Sequence, residues 1–301
     1  MLADLKPTST VESFWQWRAH RICYWQAGPG DTDEAPVVLL HGFGGCVGHW
    51  RKNIGELATG RRVYALDWLG FGASDKPDVR YSIDLWQEQL IDFCEQVVGT
   101  PAVLVGNSIG ALVALSTTAH RPERVAATAL LNCAGGLTHR PEELPLLVRP
   151  IMGAMQVVLR IPGLAERFFD YARSKHNIRN TLRQVYGNGE AVSDELVEML
   201  YRPSTDPGAA KVFVSVLTAE AGPTPEELLP LVRTPLLILW GEKDPWTPIA
   251  RGRTFSDYAP QARFVALPGL GHCPHDEDAL RVNAILKEWL ASIDSGALRG
   301  E

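Results

Sequence analysis

Short apolar runs alternate with longer amphipathic segments along most of the chain. Six runs have strand length and are rich in aliphatic and β-branched residues: Val37 to Leu40, Val63 to Asp67, Ala102 to Val105, Ala127 to Leu131, Leu236 to Trp240 and Phe264 to Leu267. Helical periodicity marks the segments Leu85 to Val98, Gly110 to His120 and Ala279 to Ile293. Because buried strands separated by helices are typical of a mostly parallel sheet covered on both faces, the pattern predicts an α/β fold.

The pattern changes in the middle of the chain. Strand signals stop near Thr138, amphipathic helical pattern continues to about Pro223, and a strand signal returns at Leu236. A helical stretch that interrupts one series of strands is an insertion rather than a separate domain. The sequence therefore predicts an α/β core formed by residues 1–137 and 224–301, with a helical lid over residues 138–223.

Composition narrows the classes of partner. The 301 residues are 46% hydrophobic and carry a formal net charge of -6, which argues against nucleic-acid binding and favours a small-molecule partner. Five cysteines without paired spacing make a poor disulfide framework and indicate a reducing compartment. No CxxC or HExxH motif is present, and we expect neither a metal nor a cofactor.

Targeting segments are not expected from the sequence. Residues 1–10 lack the basic start and apolar run of a secretory signal, so we do not expect secretion. The longest apolar stretch, Leu144 to Phe169, is broken by arginines and prolines and does not provide the ~20 apolar residues of a membrane span.

The sequence Gly106-Asn107-Ser108-Ile109-Gly110 carries the clearest chemical signal. It follows a predicted strand and precedes a predicted helix, which is the setting of a nucleophile elbow. Glycines on both sides leave room for a strained turn, and a helix that begins just after Ser108 directs N–H groups at developing negative charge. The motif predicts Ser108 as a nucleophile.

A serine nucleophile needs a base and a group that orients the base. His272 lies in the loop after the last predicted strand, and Asp244 lies in the loop after Leu236 to Trp240. The chain order serine, aspartate, histidine is the order of a nucleophile-elbow hydrolase. We therefore assign His272 as general base and Asp244 as the acid that orients it.

Each assignment has an alternative nearby. His275 could be the base, but it follows a proline and begins an acidic helix start, where we expect a surface or capping role. Glu242 could be the acid, although it is closer to its strand than Asp244. Asn132, at the end of the preceding strand, cannot supply a carboxylate.

Two glycine-bearing loops follow other strands. In His41-Gly42-Phe43-Gly44-Gly45, the amide of Phe43 is one predicted oxyanion-hole donor, and that of Ile109 is the other; we assign His41 a structural role. The loop Asp67 to Ser74 lacks a full GxGxxG and a P-loop lysine, so nucleotide binding is not expected.

Taken together, these features resemble the α/β-hydrolase superfamily from about Gly28 to Leu290. The resemblance implies an α/β-hydrolase fold, with a mostly parallel central sheet, flanking helices and a helical lid insertion. More narrowly, six stretches are similar to the chlorophyll dephytylase and pheophytinase group of plants and cyanobacteria: LHGFGGCVGHWRKNI, ALDWLGFGASDKP, VGNSIGALVAL, LLNCAGGLTHRPEE, LWGEKDPWTPI and GLGHCPHDE.

The resemblance implies hydrolysis of the phytyl ester of chlorophyll or a chlorophyll derivative, with release of phytol. By this resemblance, Ser108, Asp244 and His272 correspond to the catalytic triad of the family, and Phe43 and Ile109 correspond to its oxyanion hole. Large apolar side chains are the candidate contacts for such a substrate: Trp50, Trp68, Met152, Met155, Phe168, Phe169 and Trp246. The resemblance implies a location in the cytoplasm or at the thylakoid of a cyanobacterium, or in a plastid. Peripheral contact with the thylakoid membrane is compatible with this location.

The choice between chlorophyll and pheophytin stays open, as does the oligomeric state. A generic esterase, thioesterase or C–C bond hydrolase would use the same triad. Haloalkane dehalogenases and epoxide hydrolases use an aspartate at the elbow, which Ser108 disfavours. A binding scaffold without chemistry is disfavoured because three catalytic groups are intact.

Overall fold

Eight strands and eleven helices are found in the described part of the chain, which is residues 9–138 and 163–296 together with Pro7, Leu159 and Ile161 of a computed structural model. The strands are β1 Val11–Trp17, β2 His20–Ala27, β3 Val37–Leu40, β4 Val63–Leu66, β5 Ala102–Asn107, β6 Val125–Leu131, β7 Leu236–Gly241 and β8 Arg263–Leu267. The helices are α1 Ile54–Leu57, α2 Ile83–Phe93, α3 Ile109–His120, α4 Leu164–Ala172, α5 Lys175–Val185, α6 Asp194–Tyr201, α7 Ala209–Leu217, α8 Pro225–Leu228, α9 Ile249–Tyr258, α10 Pro274–Glu277 and α11 Ala279–Asp294.

All eight strands form one sheet in the order β1-β2-β4-β3-β5-β6-β7-β8. Strands β3 to β8 are parallel, whereas β1 pairs with β2, and β2 with β4, in antiparallel fashion. The six predicted strands correspond to β3 through β8, and the predicted α/β fold is confirmed. The hairpin of β1 and β2 was not predicted, because its turn at Arg18 and Ala19 contains neither glycine, asparagine nor proline.

The middle strands explain why the sequence shows continuous apolar runs rather than alternation. Every residue of β3, β4, β5 and β7 is buried, because helices cover both faces of the sheet. Helix α3 is buried along almost its whole length between the sheet and α2, and accordingly it has no polar face.

Parallel strands bring their carboxyl ends to one edge of the sheet, where ligands bind in open α/β folds. Loops that follow β3, β5, β7 and β8 carry the glycine loop at 41–45, Ser108, Asp244 and His272, respectively. The topology therefore collects the four predicted chemical segments at the same edge.

Helices α4 to α7 lie between β6 and β7, where the sequence predicts a lid. Phe169 of α4 and Phe213 of α7 contact each other with ring centroids 5.2 Å apart. The boundaries of a lid at residues 138 and 223 stay a prediction. Within the ranges that the structure describes, no helix has the length and apolar character that crossing a membrane requires.

Candidate active site

Ser108 occupies the turn between β5 and α3 with φ 56° and ψ -119°, a backbone conformation that is strained for a residue with a side chain. Glycine is required on both sides of it. A Cβ at Gly106 would lie 2.4 Å from the carbonyl oxygen of Gly110, and a Cβ at Gly110 would lie 2.4 Å from that of Leu40. The local sequence therefore forms the sharp strand-to-helix turn that carries Ser108.

Asp244 and His272 meet at this edge, with His272 Nδ1 2.6 Å from Asp244 Oδ2. The Asp244 side chain also accepts hydrogen bonds from the backbone N–H groups of Trp246 at 2.8 Å and Thr247 at 3.1 Å. Burial alone would raise the pKa of Asp244, but the hydrogen bonds from His272 and Thr247 outweigh it and lower this pKa below its usual value. The carboxylate is thus kept ionised, and it fixes the proton of His272 on Nδ1.

Asn132 is a further partner of this carboxylate. Its Nδ2 donates to Asp244 Oδ2 at 2.7 Å, and its Oδ1 accepts from the Gly241 N–H at 3.0 Å. The hydroxyl of Thr247 donates to the same Asp244 oxygen. The sequence excluded Asn132 as the acid but did not reveal that its amide contacts the predicted acid.

The His272 loop is held beside the serine turn by backbone contacts. Asn107, which precedes Ser108, donates from Nδ2 to the carbonyl oxygen of His272 at 2.8 Å. The N–H of His272 donates to the carbonyl oxygen of Val185 at 2.8 Å, and the carboxylate of Glu277 accepts from the Gly271 N–H at 3.0 Å. These contacts fix the direction from which the imidazole enters the site.

One predicted oxyanion donor, Phe43, belongs to the glycine loop after β3, and the other, Ile109, follows Ser108 in the chain. A Cβ at Gly42 would lie 3.0 Å from the Cβ of Ser108, which shows how closely the glycine loop approaches the serine. Within residues 9–138 and 163–296, neither the Phe43 N–H nor the Ile109 N–H has an acceptor. Both amides are therefore available to an oxygen that carries developing charge.

His41 has the structural surroundings that we expected for it. Its Nδ1 lies 2.8 Å from the carbonyl oxygen of Gly42, and its Nε2 accepts from the Trp68 N–H at 3.3 Å. Burial lowers the pKa of His41 to about 3, so the ring is neutral and shapes the glycine loop.

Ser108 and His272 line the same cavity, which has a volume of about 300 Å³. Its lining is mostly apolar and includes Phe71, Phe169, Ile178, Leu182, Val212 and Phe213. Lys76 and Arg173 are the charged lining residues in the described part of the chain, and both are paired: Lys76 Nζ lies 2.8 Å from Asp206 Oδ2, and Arg173 Nε 2.7 Å from Asp170 Oδ1. Such a cavity suits an apolar group more than an anionic one.

The predicted substrate contacts divide into four groups, the last of which is the pair Trp50 and Trp68. Phe169 and Trp246 line the cavity, and the Trp246 ring lies 5.1 Å from that of His272. Phe168 is not part of the described lining, although its ring contacts Phe213 at 6.0 Å. Met152 and Met155 lie outside the described residues.

Trp50 and Trp68 correct the prediction, because both are core residues. Trp50 is fully buried against the ring of His275, with centroids 4.1 Å apart. Trp68 is 1% exposed and donates from its indole nitrogen to the His41 carbonyl oxygen at 2.9 Å. Their size and hydrophobicity place them in the interior rather than in the cavity wall.

The alternatives to the predicted base and acid occupy other positions. Glu242 is exposed, and the carboxylate bonded to His272 is that of Asp244. His275 is fully buried between Trp50 and His49, so the expectation of a surface or capping role was wrong. Burial lowers the pKa of His275 well below its usual value and keeps it neutral.

A mostly parallel eight-stranded sheet with a serine on the turn between strand and helix defines an α/β hydrolase. A family model described as the alpha/beta hydrolase family matches residues 37–285, and the chain belongs to this family.

Among curated proteins, the chain is similar to the chloroplastic pheophytinase of Arabidopsis thaliana, with 28% identity over 93% of this chain. It spans 66% of that protein's length. It is also 28% identical to the 2-hydroxymuconate semialdehyde hydrolase of Pseudomonas sp. (strain CF600), covering 87% of this chain and 89% of the relative.

Solved structures share the fold. A serine hydrolase involved in carbazole degradation (CarC enzyme) matches with a TM-score of 0.75 and 24% identity, over 94% of this chain and 99% of that one. The epoxide hydrolase CorEH matches with a TM-score of 0.78 and 18% identity, over 94% and 99%.

Proposed function

We propose that this chain is a serine hydrolase that cleaves the phytyl ester of chlorophyll. The observation that carries the proposal is the placement of Ser108, on its strained turn, in an apolar cavity shared with a His272 whose Nδ1 is bonded to Asp244. The resemblance to the chlorophyll dephytylase and pheophytinase group supports the choice of substrate, as does the similarity to a pheophytinase.

In the proposed mechanism, Nε2 of His272 takes the proton of Ser108 while the serine oxygen attacks the ester carbonyl carbon. The oxyanion accepts hydrogen bonds from the Phe43 and Ile109 amides. His272 then protonates the leaving phytol oxygen, and later takes a proton from the water that hydrolyses the acyl-enzyme. Asp244 stabilises the imidazolium in both half-reactions.

The cavity favours an apolar ester over the substrates of the carbon–carbon bond hydrolases. One such relative is named as a hydrolase of a hexadienoic acid. A carboxylate in this cavity would need a cation, yet Lys76 and Arg173 already bind carboxylates of the protein. A phytyl chain needs no such partner. Phe169, Leu182 and Phe213 would contact it from the segment 138–223, which we propose to be the lid.

With such a substrate, we place the protein in a cyanobacterium or plastid, where it would contact the thylakoid surface peripherally. A pheophytin substrate is the second candidate, favoured by the similarity to the pheophytinase.

Product analysis tests the proposal directly. The protein is incubated with chlorophyll a, pheophytin a or p-nitrophenyl butyrate in detergent, and phytol, the de-esterified pigment and p-nitrophenol are quantified. Release of phytol from chlorophyll a is the expected result. Turnover of the small ester alone would replace the proposal with a generic esterase.

Ser108→Ala should lower turnover by ~10⁴-fold or more and abolish labelling by a fluorophosphonate probe. Ser116→Ala is the matched control, because Ser116 is a buried serine of α3 that bonds Gln87 and does not line the cavity. Equal labelling of the two variants would show that Ser108 is not the nucleophile.

A further inference from the structure

A second histidine lies in the wall of the cavity. His49 belongs to a short 3-10 turn, Val47–Trp50, that follows the glycine loop after β3. It is 6% exposed, and it lines the same cavity as Ser108 and His272. The triad does not use it.

One nitrogen of His49 is tied to a buried polar chain. Its Nε2 lies 3.0 Å from the hydroxyl oxygen of Tyr186, and this hydroxyl lies 2.9 Å from Asp276 Oδ2. The other oxygen of Asp276 pairs with Arg51 Nη1 at 2.9 Å and Lys52 Nζ at 3.1 Å. The chain thus runs from the cavity wall to a carboxylate held by two cations.

The charges decide which way the hydrogen bonds point. Burial alone would raise the pKa of Asp276, but interactions with His49, Arg51 and Lys52 lower this pKa below its usual value, so the side chain is a carboxylate that only accepts. Burial raises the pKa of Tyr186 well above its usual value, so it is a phenol with one hydrogen to donate. Tyr186 therefore donates to Asp276, and its oxygen accepts from the Nε2–H of His49.

This direction leaves Nδ1 of His49 without a proton. Burial lowers the pKa of His49 to about 4, so the ring is neutral and carries a single proton, which lies on Nε2. In the described part of the chain Nδ1 has no donor, yet it is not among the fully buried unpartnered atoms, unlike both nitrogens of His275. An unprotonated nitrogen that is not fully buried, on a residue that lines the cavity, is an electron-pair donor.

We propose that His49 Nδ1 is an axial ligand of the magnesium ion of chlorophyll, and that it selects chlorophyll over pheophytin; this inference rests on the proposed function. A metal-binding histidine is typically neutral and donates the N–H of its second nitrogen to a hydrogen-bond acceptor. In His49 this acceptor is the Tyr186 hydroxyl, which in turn donates to the Asp276 carboxylate. Such a hydrogen bond fixes the tautomer and raises the basicity of the free nitrogen. The magnesium arrives as part of the substrate.

Pheophytin cannot use this nitrogen in the same way. It carries two hydrogens in place of the metal, and those hydrogens lie in the plane of the macrocycle rather than above it. A pheophytin macrocycle in the position of the chlorophyll macrocycle would leave the Nδ1 electron pair of His49 without a partner in an apolar wall, which is unfavourable. The magnesium pigment satisfies this group and pheophytin does not.

The test measures pigment binding in the non-hydrolysing Ser108→Ala background. Chlorophyll a, pheophytin a and zinc pheophytin a are titrated in detergent, and the absorption change of the axially ligated metal is followed. Chlorophyll a and the zinc pigment should bind at least ~10-fold more tightly than pheophytin a. His49→Phe should abolish this preference and the absorption change, and should leave pheophytin bound at least as tightly as before, because the unpartnered electron pair is removed. Tyr186→Phe, which keeps the ring but removes the backing hydroxyl, should weaken chlorophyll binding by ~10-fold.

A second measurement does not depend on any variant folding. Nitrogen-15 NMR of the histidine side chains in the unaltered chain should show His49 with a protonated Nε2 and a bare Nδ1. A protonated Nδ1, or an equal loss of chlorophyll and pheophytin affinity in His49→Phe, overturns the inference while leaving phytyl-ester hydrolysis intact. Selective chlorophyll binding that depends on His49, without release of phytol, would instead overturn the proposed function and keep the inference. Binding of neither pigment overturns both.

Discussion

Asn132 offers a sharp test of how the acid of the candidate site is held. Asn132→Asp keeps the size of the side chain and the acceptor for the Gly241 N–H, but it replaces the Nδ2 donor by an oxygen that faces Asp244. Two carboxylates at the present separation of 2.7 Å would repel by about 6 kcal/mol at an effective dielectric constant of about 20. The folded protein can relieve this repulsion by holding a proton between them.

The proton makes the effect depend on pH in a predictable direction. The introduced carboxyl has an ordinary unfolded pKa of about 3.9, so holding its proton costs about 4 kcal/mol at pH 7 and about 2 kcal/mol at pH 5.5. Its folded pKa is raised, to about 8 if the full repulsion is relieved. The stability linked to this proton is therefore fully present below about pH 3.9 and is lost as the pH rises towards about 8.

Urea unfolding followed by tryptophan fluorescence measures this at pH 5.5, 6.5 and 7.5. Relative to the unaltered protein, the free energy of unfolding of Asn132→Asp should fall by about 1.4 kcal/mol for each pH unit. Thr247→Val is the control, because it removes another donor to the same Asp244 oxygen without adding a carboxyl group, and it should add no slope. Parallel pH profiles for Asn132→Asp and the unaltered protein would refute the assigned contact.

Three further changes test other parts of the structure. Asp244→Asn should lower turnover by ~10⁴-fold, because an amide no longer fixes the His272 tautomer; a loss under 10-fold in ester assays would contradict this role. Gly110→Ala should lower the free energy of unfolding by about 2 kcal/mol or more in urea, since its Cβ would lie 2.4 Å from the Leu40 carbonyl oxygen; unchanged stability would contradict the close packing. Burial raises the pKa of Asp67 to about 7, so its contribution to stability is present below about pH 3.9 and is lost as the pH rises to about 7. Asp67→Asn should therefore remove a slope of about 1 kcal/mol per pH unit between pH 5 and 7 in the same urea assay, and identical slopes would show that Asp67 titrates normally.

The parallel strands and the serine turn could be predicted because their signals are local. Val37 to Leu40 and Ala102 to Val105 are continuous apolar runs, since both sides of these strands are buried. The turn at Ser108 requires glycine two residues before and two residues after the serine, because a Cβ there would clash with the backbone. Such a requirement can be recognised in the local sequence.

Other features depend on tertiary contacts that the sequence does not display. Trp50 and Trp68 are large aromatic residues of a kind that often lines pockets. Their burial in the folded structure shows that they belong to the core. The chain of His49, Tyr186 and Asp276 joins residues that are 137 and 90 positions apart. No spacing rule covers such distances, so these contacts could be found only in the folded structure.

The two cavity histidines differ in how each ring is linked to a carboxylate. His272 has its Nδ1 bonded directly to a carboxylate, which leaves Nε2 as the nitrogen without a proton, whereas His49 has its Nε2 bonded through Tyr186 to a carboxylate. Both rings therefore offer one bare nitrogen, and the carboxylate that backs each ring decides which nitrogen it is. At His272 the carboxylate lies directly against the ring, with Asp244 Oδ2 2.6 Å from Nδ1. At His49 the nearest partner is a neutral phenol, and burial lowers the pKa to about 4, so this ring resists protonation, which agrees with the ligand role that we propose for it.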